Sequence, residues 1–369
     1  MVTTAIFDQV HMQAALSLAS RGLGKTWPNP SVGCVIVKDD QVIGRGRTAQ
    51  GGRPHAETQA LSMAGDNARG ATAYVSLEPC SHHGKTPPCA DALINAGVAR
   101  VVVAVGDPDP RVSGQGIERL KSAGIDVTTG VLETQAAELN AGFFMAKTQG
   151  RPLITVKIAT TLDGKIATST GESQWITGNA ARGWGHMVRA TNDAVLVGIR
   201  TVLSDDPELT CRLPGLAVSP PVSIVVDGWL NLPDTSKLTK AASTRPVWVL
   251  THANPELKRV SQLEKMGVKV IPVVGGPDRT IHMPSALQAL AELGLTRIMV
   301  EGGARVIATF MNANLVDRLI WFRAPTIMGG DGLPSVQPIG VTVLDAMPRF
   351  RLIDMVRAGD DVMETYVRA

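Results

Sequence analysis

The chain has 369 residues, more than twice a common domain length, so it divides into two domains with separate cores. With 44% hydrophobic and 19% charged residues and 37 glycines, the composition excludes a disordered or coiled chain and suits a well-buried α/β protein. The formal net charge is +3, yet Lys and Arg never form a run of five, so the mild excess suits small phosphorylated ligands better than nucleic acid.

Phe7, Val10, Ala14 and Leu18 recur with helical spacing and predict an opening amphipathic helix that ends near Gly22. Val32 to Lys38 and Gln41 to Arg45 read as a hairpin around Asp39-Asp40, and a helix begins close to His55 and runs to Ala64. Strands are predicted at Ala73 to Ser76, Arg100 to Val105 and Ile125 to Thr129, with helices after Cys89 and over Gly116 to Ala123. Leu132 to Lys147 reads as one helix, stopped at Gly150-Arg151-Pro152, where the boundary between domains 1–150 and 151–369 is placed.

A second α/β series follows, with strands at Leu153 to Ala159, Ala194 to Gly198, Val222 to Val226, Val247 to Leu250, Val268 to Val273 and Arg297 to Glu301. Helices fit at Ala180 to Ala190, Pro255 to Met266, Ser285 to Leu293 and Ala304 to Asn312. Leu315 to Phe322, Phe350 to Met355 and Met363 to Val367 finish the sheet. No apolar run approaches the roughly 18 residues that span a bilayer. The N-terminus lacks a signal-peptide pattern, so Cys34, Cys80, Cys89 and Cys211 are expected as reduced thiols in a cytoplasm. Cys34 reads as core, and Cys211 has no partner pattern.

Chemistry concentrates in Pro54-His55-Ala56-Glu57, in Glu78-Pro79-Cys80 and in Cys89. One imidazole, two thiolates and a nearby carboxylate that is not a ligand are what zinc-assisted hydrolysis of an aminopyrimidine requires. Residues two apart on a helix point roughly 200° apart, so His55 ligates while Glu57 serves as the proton carrier. Cys80 lies at a strand-to-helix turn, where unpaired N–H groups favour a thiolate. The usual deaminase spacing places two residues between the cysteines, whereas here eight intervene, Ser81 to Pro88. His82 and His83 are therefore rival ligands, and Cys89 is preferred because a helix starts there.

Asn29-Pro30-Ser31-Val32-Gly33, His55-Ala56-Glu57 and the segment Glu78 to Cys89 resemble the bifunctional riboflavin-biosynthesis deaminase/reductase family, and the similarity covers nearly the whole chain. The resemblance implies a cytidine-deaminase-like three-layer α/β/α domain followed by a dihydrofolate-reductase-like α/β domain. The first would hydrolyse the 2-amino group of a diaminopyrimidinone ribosylamine 5′-phosphate, and the second would reduce the ribose to ribityl with NADPH. Carried over, Asn29 would bond the pyrimidine and Lys85 the phosphate, with Asp107 a further pocket candidate.

No Gly-x-Gly-x-x-Gly follows a strand, so a Rossmann domain is not indicated. Gly302-Gly303 instead separates a strand from a helix and lets backbone approach an anion. Lys157 to Lys165, Gly171 to Thr177 and Asp205 to Arg212 resemble the same family's reductase domain. In its terms Ala159, Trp175, Thr201, Asp205 and the run Gly303, Ala304, Arg305, Val306, Ile307, Ala308 and Thr309 would face NADPH. Ser173, Arg189, Leu209, Arg212 and Glu301 would face substrate. Arg189 and Arg212 suit the 5′-phosphate, Glu301 suits ribose hydroxyls, and Lys157 would orient the sugar or assist proton transfer.

The rival enzymatic reading, a nucleoside or tRNA deaminase with an unrelated second domain, lacks a basic, aromatic-rich surface signature. A second domain that only senses a nucleotide phosphate is the other alternative. The expected partner is a small phosphorylated pyrimidine, not nucleic acid or membrane, and a homo-oligomer is left open.

Overall fold

The computed structural model describes residues 2–82, 87–109, 112–216, 219–275 and 281–369. The chain divides into two compact units, Met1–Gly150 and Arg151–Ala369.

The N-terminal unit comprises α1 (Val2–Ser20), β1 (Gly33–Lys38), β2 (Gln41–Arg47), α2 (Ala56–Ala64), β3 (Thr72–Val75), α3 (Cys89–Ala96), β4 (Arg100–Val103), α4 (Gln115–Ser122), β5 (Asp126–Thr129), α5 (Glu133–Leu139) and α6 (Ala141–Thr148). Its sheet has the order β2-β1-β3-β4-β5, antiparallel on both sides of β1 and parallel from β3 to β5. Side chains on a strand alternate faces, and the two helices packed on β1 exploit that alternation. A Cβ at Gly33 would fall 1.9 Å from the Ala15 carbonyl of α1, and one at Gly46, on the strand opposite Cys34, would fall 2.2 Å from the Ala56 carbonyl of α2. The missing side chains let one helix press onto each face, which gives three layers.

The expected helix from Leu132 to Lys147 is two helices. Asn140 separates them, and its buried amide Oδ1 accepts the Ser31 N–H at 3.0 Å, a bond to the loop before β1 that a continuous helix would not favour.

Inside this unit Asp8 of α1 accepts from both terminal nitrogens of Arg100, each at 2.8 Å, and from the Tyr74 hydroxyl at 3.0 Å. Burial alone would raise the Asp8 carboxyl, but the hydrogen bonds from Arg100 and Tyr74 outweigh it and hold the group below its usual range. A depressed folded-state value means stability that is present above the unfolded value of about 3.9 and is lost as pH falls through the folded one. Asp8→Asn is therefore expected to lower unfolding stability by roughly 3 kcal/mol at neutral pH, toward the low end for a broken buried pair because Arg100 is partly exposed. Denaturant unfolding should show the gap to wild type narrowing below about pH 4. A constant gap would mean the pair is not what Asp8 contributes.

The C-terminal unit comprises β6 (Leu153–Thr160), β7 (Lys165–Ala167), α7 (Asn179–Ala190), β8 (Ala194–Gly198), α8 (Ile199–Asp205), β9 (Val222–Val226), α9 (Lys237–Ala241), β10 (Val247–His252), α10 (Leu257–Lys265), β11 (Lys269–Val273), α11 (Met283–Glu292), β12 (Arg297–Glu301), α12 (Ala304–Asn312), β13 (Arg318–Arg323), β14 (Leu333–Pro334), β15 (Phe350–Ala358) and β16 (Asp361–Arg368). The short helices α8 and α9 and the small β14-β7 pair were not expected from the pattern, since each is too brief to establish a period.

The large sheet runs β11-β10-β9-β8-β12-β6-β13-β16-β15. It is parallel from β11 to β13, and β16 and β15 continue it antiparallel. The chain moves outward from β8 to β11 and then returns to insert β12 between β8 and β6. That reversal opens a crevice at the carboxyl ends of the strands, where α/β sheets bind ligands. Glu301, Gly302 and Gly303 lie there.

Candidate active sites

In the N-terminal unit the site forms where two helices begin beside the carboxyl end of β3. His55 is the residue before α2, Cys89 is the first residue of α3, and Cys80 stands on the segment after β3. His55 Nδ1 lies 3.3 Å from Cys89 Sγ and 3.7 Å from Cys80 Sγ, and all three ligand atoms fall within 4.8 Å of one another. Among the described residues His82 does not join this cluster, and the other rival, His83, lies outside the described residues.

The cluster is electrostatically prepared. The Cys89 thiol, the His55 ring and the Cys89 backbone N–H, at 3.3 Å, outweigh burial and draw the Cys80 thiol down to about 4. Hydrogen bonding to Cys80, and then burial, pushes the Cys89 thiol up, and hydrogen bonding to Cys80 raises His55. One imidazole and two thiols that contend for protons at this range suit a divalent cation, which would draw the protons off both sulfurs.

Glu57, in the first turn of α2, is 3% exposed. Burial, and then the Cys80 charge, pushes its carboxyl up to about 7. A carboxyl poised near neutrality can both take and give a proton.

Sequence reasoning gave Glu78 no role of its own. The buried carboxylate accepts four backbone N–H groups, from Asp107 at 3.2 Å and Gly114 at 3.0 Å on Oε2, and from Gly116 at 2.9 Å and Ile117 at 3.3 Å on Oε1. It thereby ties the Cys80 segment to the start of α4 and to the turn holding Asp107. Asp107 itself is buried, which pushes its carboxyl up to about 6, and its Oδ1 accepts the Asp109 N–H at 2.8 Å. Asn29 packs against Gly52, where a Cβ would meet its amide nitrogen at 1.9 Å, on the loop leading to His55. Lys85 lies outside the described residues.

In the C-terminal unit, β6 and β12 place Lys157 and Glu301 side by side as register partners. Burial alone would raise the Glu301 carboxyl, but Arg189 and Lys157 outweigh it and hold the group below its usual range. Burial lowers Lys157, against the pull of Glu301, and its Nζ lies 5.7 Å from the Phe322 ring centre. Arg189 is not free to clasp a phosphate bidentately, because its Nε donates to Glu301 at 3.0 Å, its Nη2 donates to the same carboxylate, and its Nη1 donates to the Thr210 carbonyl at 2.9 Å.

Arg212 differs, being 56% exposed with one contact to Glu208 at 3.3 Å. Leu209 is a core residue with φ +56°, so any contact with a ligand falls to its backbone. Ser173 is half-buried in the loop before α7, and Trp175 on the same loop is 67% exposed over the Arg182 guanidinium.

The Gly302-Gly303 turn has φ +98° and +85°, accessible at little cost to glycine alone. A Cβ on Gly303 would come 3.3 Å from Thr201 Oγ1, so the bare turn keeps an open cradle between α8 and the N-terminus of α12. Backbone N–H groups at such an end suit a pyrophosphate. Gly303, Ala304 and Arg305 are at that end, and Ala159 is half-buried beside Phe322. The side chains of Val306, Ile307 and Ala308 are buried, so any contact of theirs with a cofactor falls to the backbone. Thr309 is exposed a turn further on and donates to the Arg305 carbonyl, and Asp205 is exposed at the end of α8.

The cytidine and deoxycytidylate deaminase zinc-binding region matches residues 6–105, and the RibD C-terminal domain matches residues 152–363. The riboflavin biosynthesis protein RibD of Bacillus amyloliquefaciens is 43% identical over 98% of this chain and 96% of its own length. That of Escherichia coli is 39% identical over 96% and 98%. Among solved structures, Acinetobacter baumannii RibD superposes with a TM-score of 0.88 at 39% identity, covering 99% of this chain and 100% of that one. A Thermotoga maritima diaminohydroxyphosphoribosylaminopyrimidine deaminase/5-amino-6-(5-phosphoribosylamino)uracil reductase does so with a TM-score of 0.86 at 33% identity, covering 99% and 100%.

Proposed function

Because the chain belongs to the RibD family of bifunctional riboflavin-biosynthesis enzymes, with a zinc-dependent deaminase and an NADPH-dependent reductase activity, we propose a division of labour among its residues. Residues 1–150 carry deamination of 2,5-diamino-6-ribosylamino-4(3H)-pyrimidinone 5′-phosphate, and residues 151–369 carry reduction of the ribosyl group. The product is 5-amino-6-ribitylaminouracil 5′-phosphate. The observation that carries this reading is the buried Glu57 carboxyl beside the His55, Cys80 and Cys89 ligand atoms.

His55, Cys80 and Cys89 hold zinc, which supplies a Lewis acid that makes water nucleophilic near neutral pH. Glu57 accepts the proton of the attacking water, passes it to the ring nitrogen next to the amino-bearing carbon, and carries a further proton to the departing ammonia. Asn29 and Asp107 orient the pyrimidine, and Lys85 meets the phosphate. Glu78 is a positioning residue that holds the Cys80 segment.

In the reductase, NADPH supplies the hydride, and the residues supply position and charge. The Gly303 turn, the start of α12 and Thr201 hold the pyrophosphate, with Ala159, Trp175 and Asp205 along the cofactor. Glu301 accepts from ribose hydroxyls, Arg189 fixes Glu301, and Lys157 protonates the nitrogen left when C1′ of the ring-opened imine is reduced. Ser173, the Leu209 backbone and Arg212 receive the 5′-phosphate. The enzyme works in the cytoplasm on a small molecule, and no described helix is long and apolar enough to cross a membrane.

Separate assays of the two half-reactions test the scheme. Chelator-treated enzyme should lose deamination and still consume NADPH with the deaminated substrate. Arg212→Ala should raise the reductase KM for that substrate roughly 10- to 100-fold, the worth of a charged hydrogen bond, and leave the KM for NADPH near wild type. Loss of both activities on chelation would contradict two independent sites, and an unchanged KM would return Arg212 to the solvated surface.

A further inference from the structure

His186 has no part in the chemistry above. It sits on α7 three residues before Arg189, so both side chains leave the same face of the helix. Both reach one acceptor, the Thr210 carbonyl, at 3.1 Å from His186 Nδ1 and 2.9 Å from Arg189 Nη1. Arg212 follows Thr210 by two residues. A carbonyl partner requires the proton on Nδ1, so the neutral ring carries a bare lone pair on Nε2. A lone pair repels a phosphate oxygen, whereas a protonated Nε2 donates to it.

The charged groups bearing on the ring are Arg189 from its own helix, Arg212 from the segment that carries Thr210, and Glu301 from β12. Burial and the two guanidinium groups hold the free imidazole below its ordinary range, and the Thr210 bond and Glu301 offset them only in part. An arriving phosphate dianion cancels the guanidinium repulsion and adds an acceptor, which favours the imidazolium. A side chain that takes up this proton would separate phosphorylated from unphosphorylated sugars through its own charge state.

We propose that His186 is a further phosphate ligand of the reductase site, donating from Nε2 beside Arg212 and taking up a proton as the 5′-phosphate binds. The inference rests on the placement of that phosphate at Arg212.

Calorimetric titration of the full chain with ribose 5-phosphate tests it, in two buffers of different ionisation enthalpy at about pH 7.5, where a phosphomonoester with a second pKa near 6 is a dianion. Wild type should take up a large fraction of one proton per ligand bound. His186→Asn keeps an amide donor for the Thr210 carbonyl but has no group to protonate. It should take up none and bind about tenfold more weakly, with NADPH binding, followed by nicotinamide fluorescence, unchanged. Undiminished proton uptake and affinity in His186→Asn, with Arg212→Ala weakened, would overturn the role of His186 alone. Unaltered binding by Arg212→Ala would remove the phosphate from this site and take both readings with it.

Discussion

Glu57→Gln should lower deamination roughly 10²- to 10⁴-fold or more, because the amide keeps the shape of the side chain and cannot shuttle a proton. His55, Cys80 and Cys89 are untouched by the change, so the variant should retain its zinc on metal analysis. The reductase residues belong to the other compact unit, and reduction of pre-deaminated substrate by NADPH should continue near the wild-type rate. Supplied with the diaminopyrimidine, the variant should stall before the reductive step. Equal loss of both activities would sink the independence of the sites, and retained deamination would remove Glu57 from the mechanism.

Glu78→Gln should be as damaging for a different reason. Its carboxylate accepts four backbone N–H groups in a buried position, and glutamine turns an NH₂ toward some of those donors. Hydrogen bonds to a buried charge contribute about 1.5–3 kcal/mol each, so the loss should be about 3 kcal/mol or more of unfolding stability. Cys80 lies two residues on, and loosening its segment should speed zinc loss to a chelator by at least about tenfold, as supporting groups commonly do for metal affinity. Deamination should fall in proportion to bound zinc, and adding zinc should restore part of it, which separates this variant from Glu57→Gln. Chelation kinetics equal to wild type would mean that Glu78 does not hold the ligand loop.

These two glutamates show how differently sites can be read. Glu57 follows a histidine by two residues in a motif whose chemistry demands an unligated carboxylate, so residue type and spacing suffice to nominate it. Glu78 stands in an equally visible motif, yet its work is to accept N–H groups more than 28 residues further along the chain, which no local pattern encodes. His186 is intermediate: its spacing from Arg189 puts the pair on one helix face, but the shared Thr210 carbonyl becomes visible only when the chain folds back.

By itself the sequence determined the α/β class, the succession of strands with strong apolar runs, and the deaminase chemistry of one histidine and two cysteines. Periodicity and ligand chemistry are local properties, and the family resemblance extends along the whole chain. Tertiary structure alone decided the rest. It broke the helix after Leu139, because Asn140 bonds to Ser31 far away in sequence. It engaged Arg189 with Glu301, because parallel pairing brings β12 beside β6 and α7 packs nearby. It also buried Val306, Ile307 and Ala308 while leaving the glycine turn before them open. Which face of a helix meets a sheet, and which charge meets which, depends on strand order, and strand order is set by contacts between segments that lie far apart in the chain.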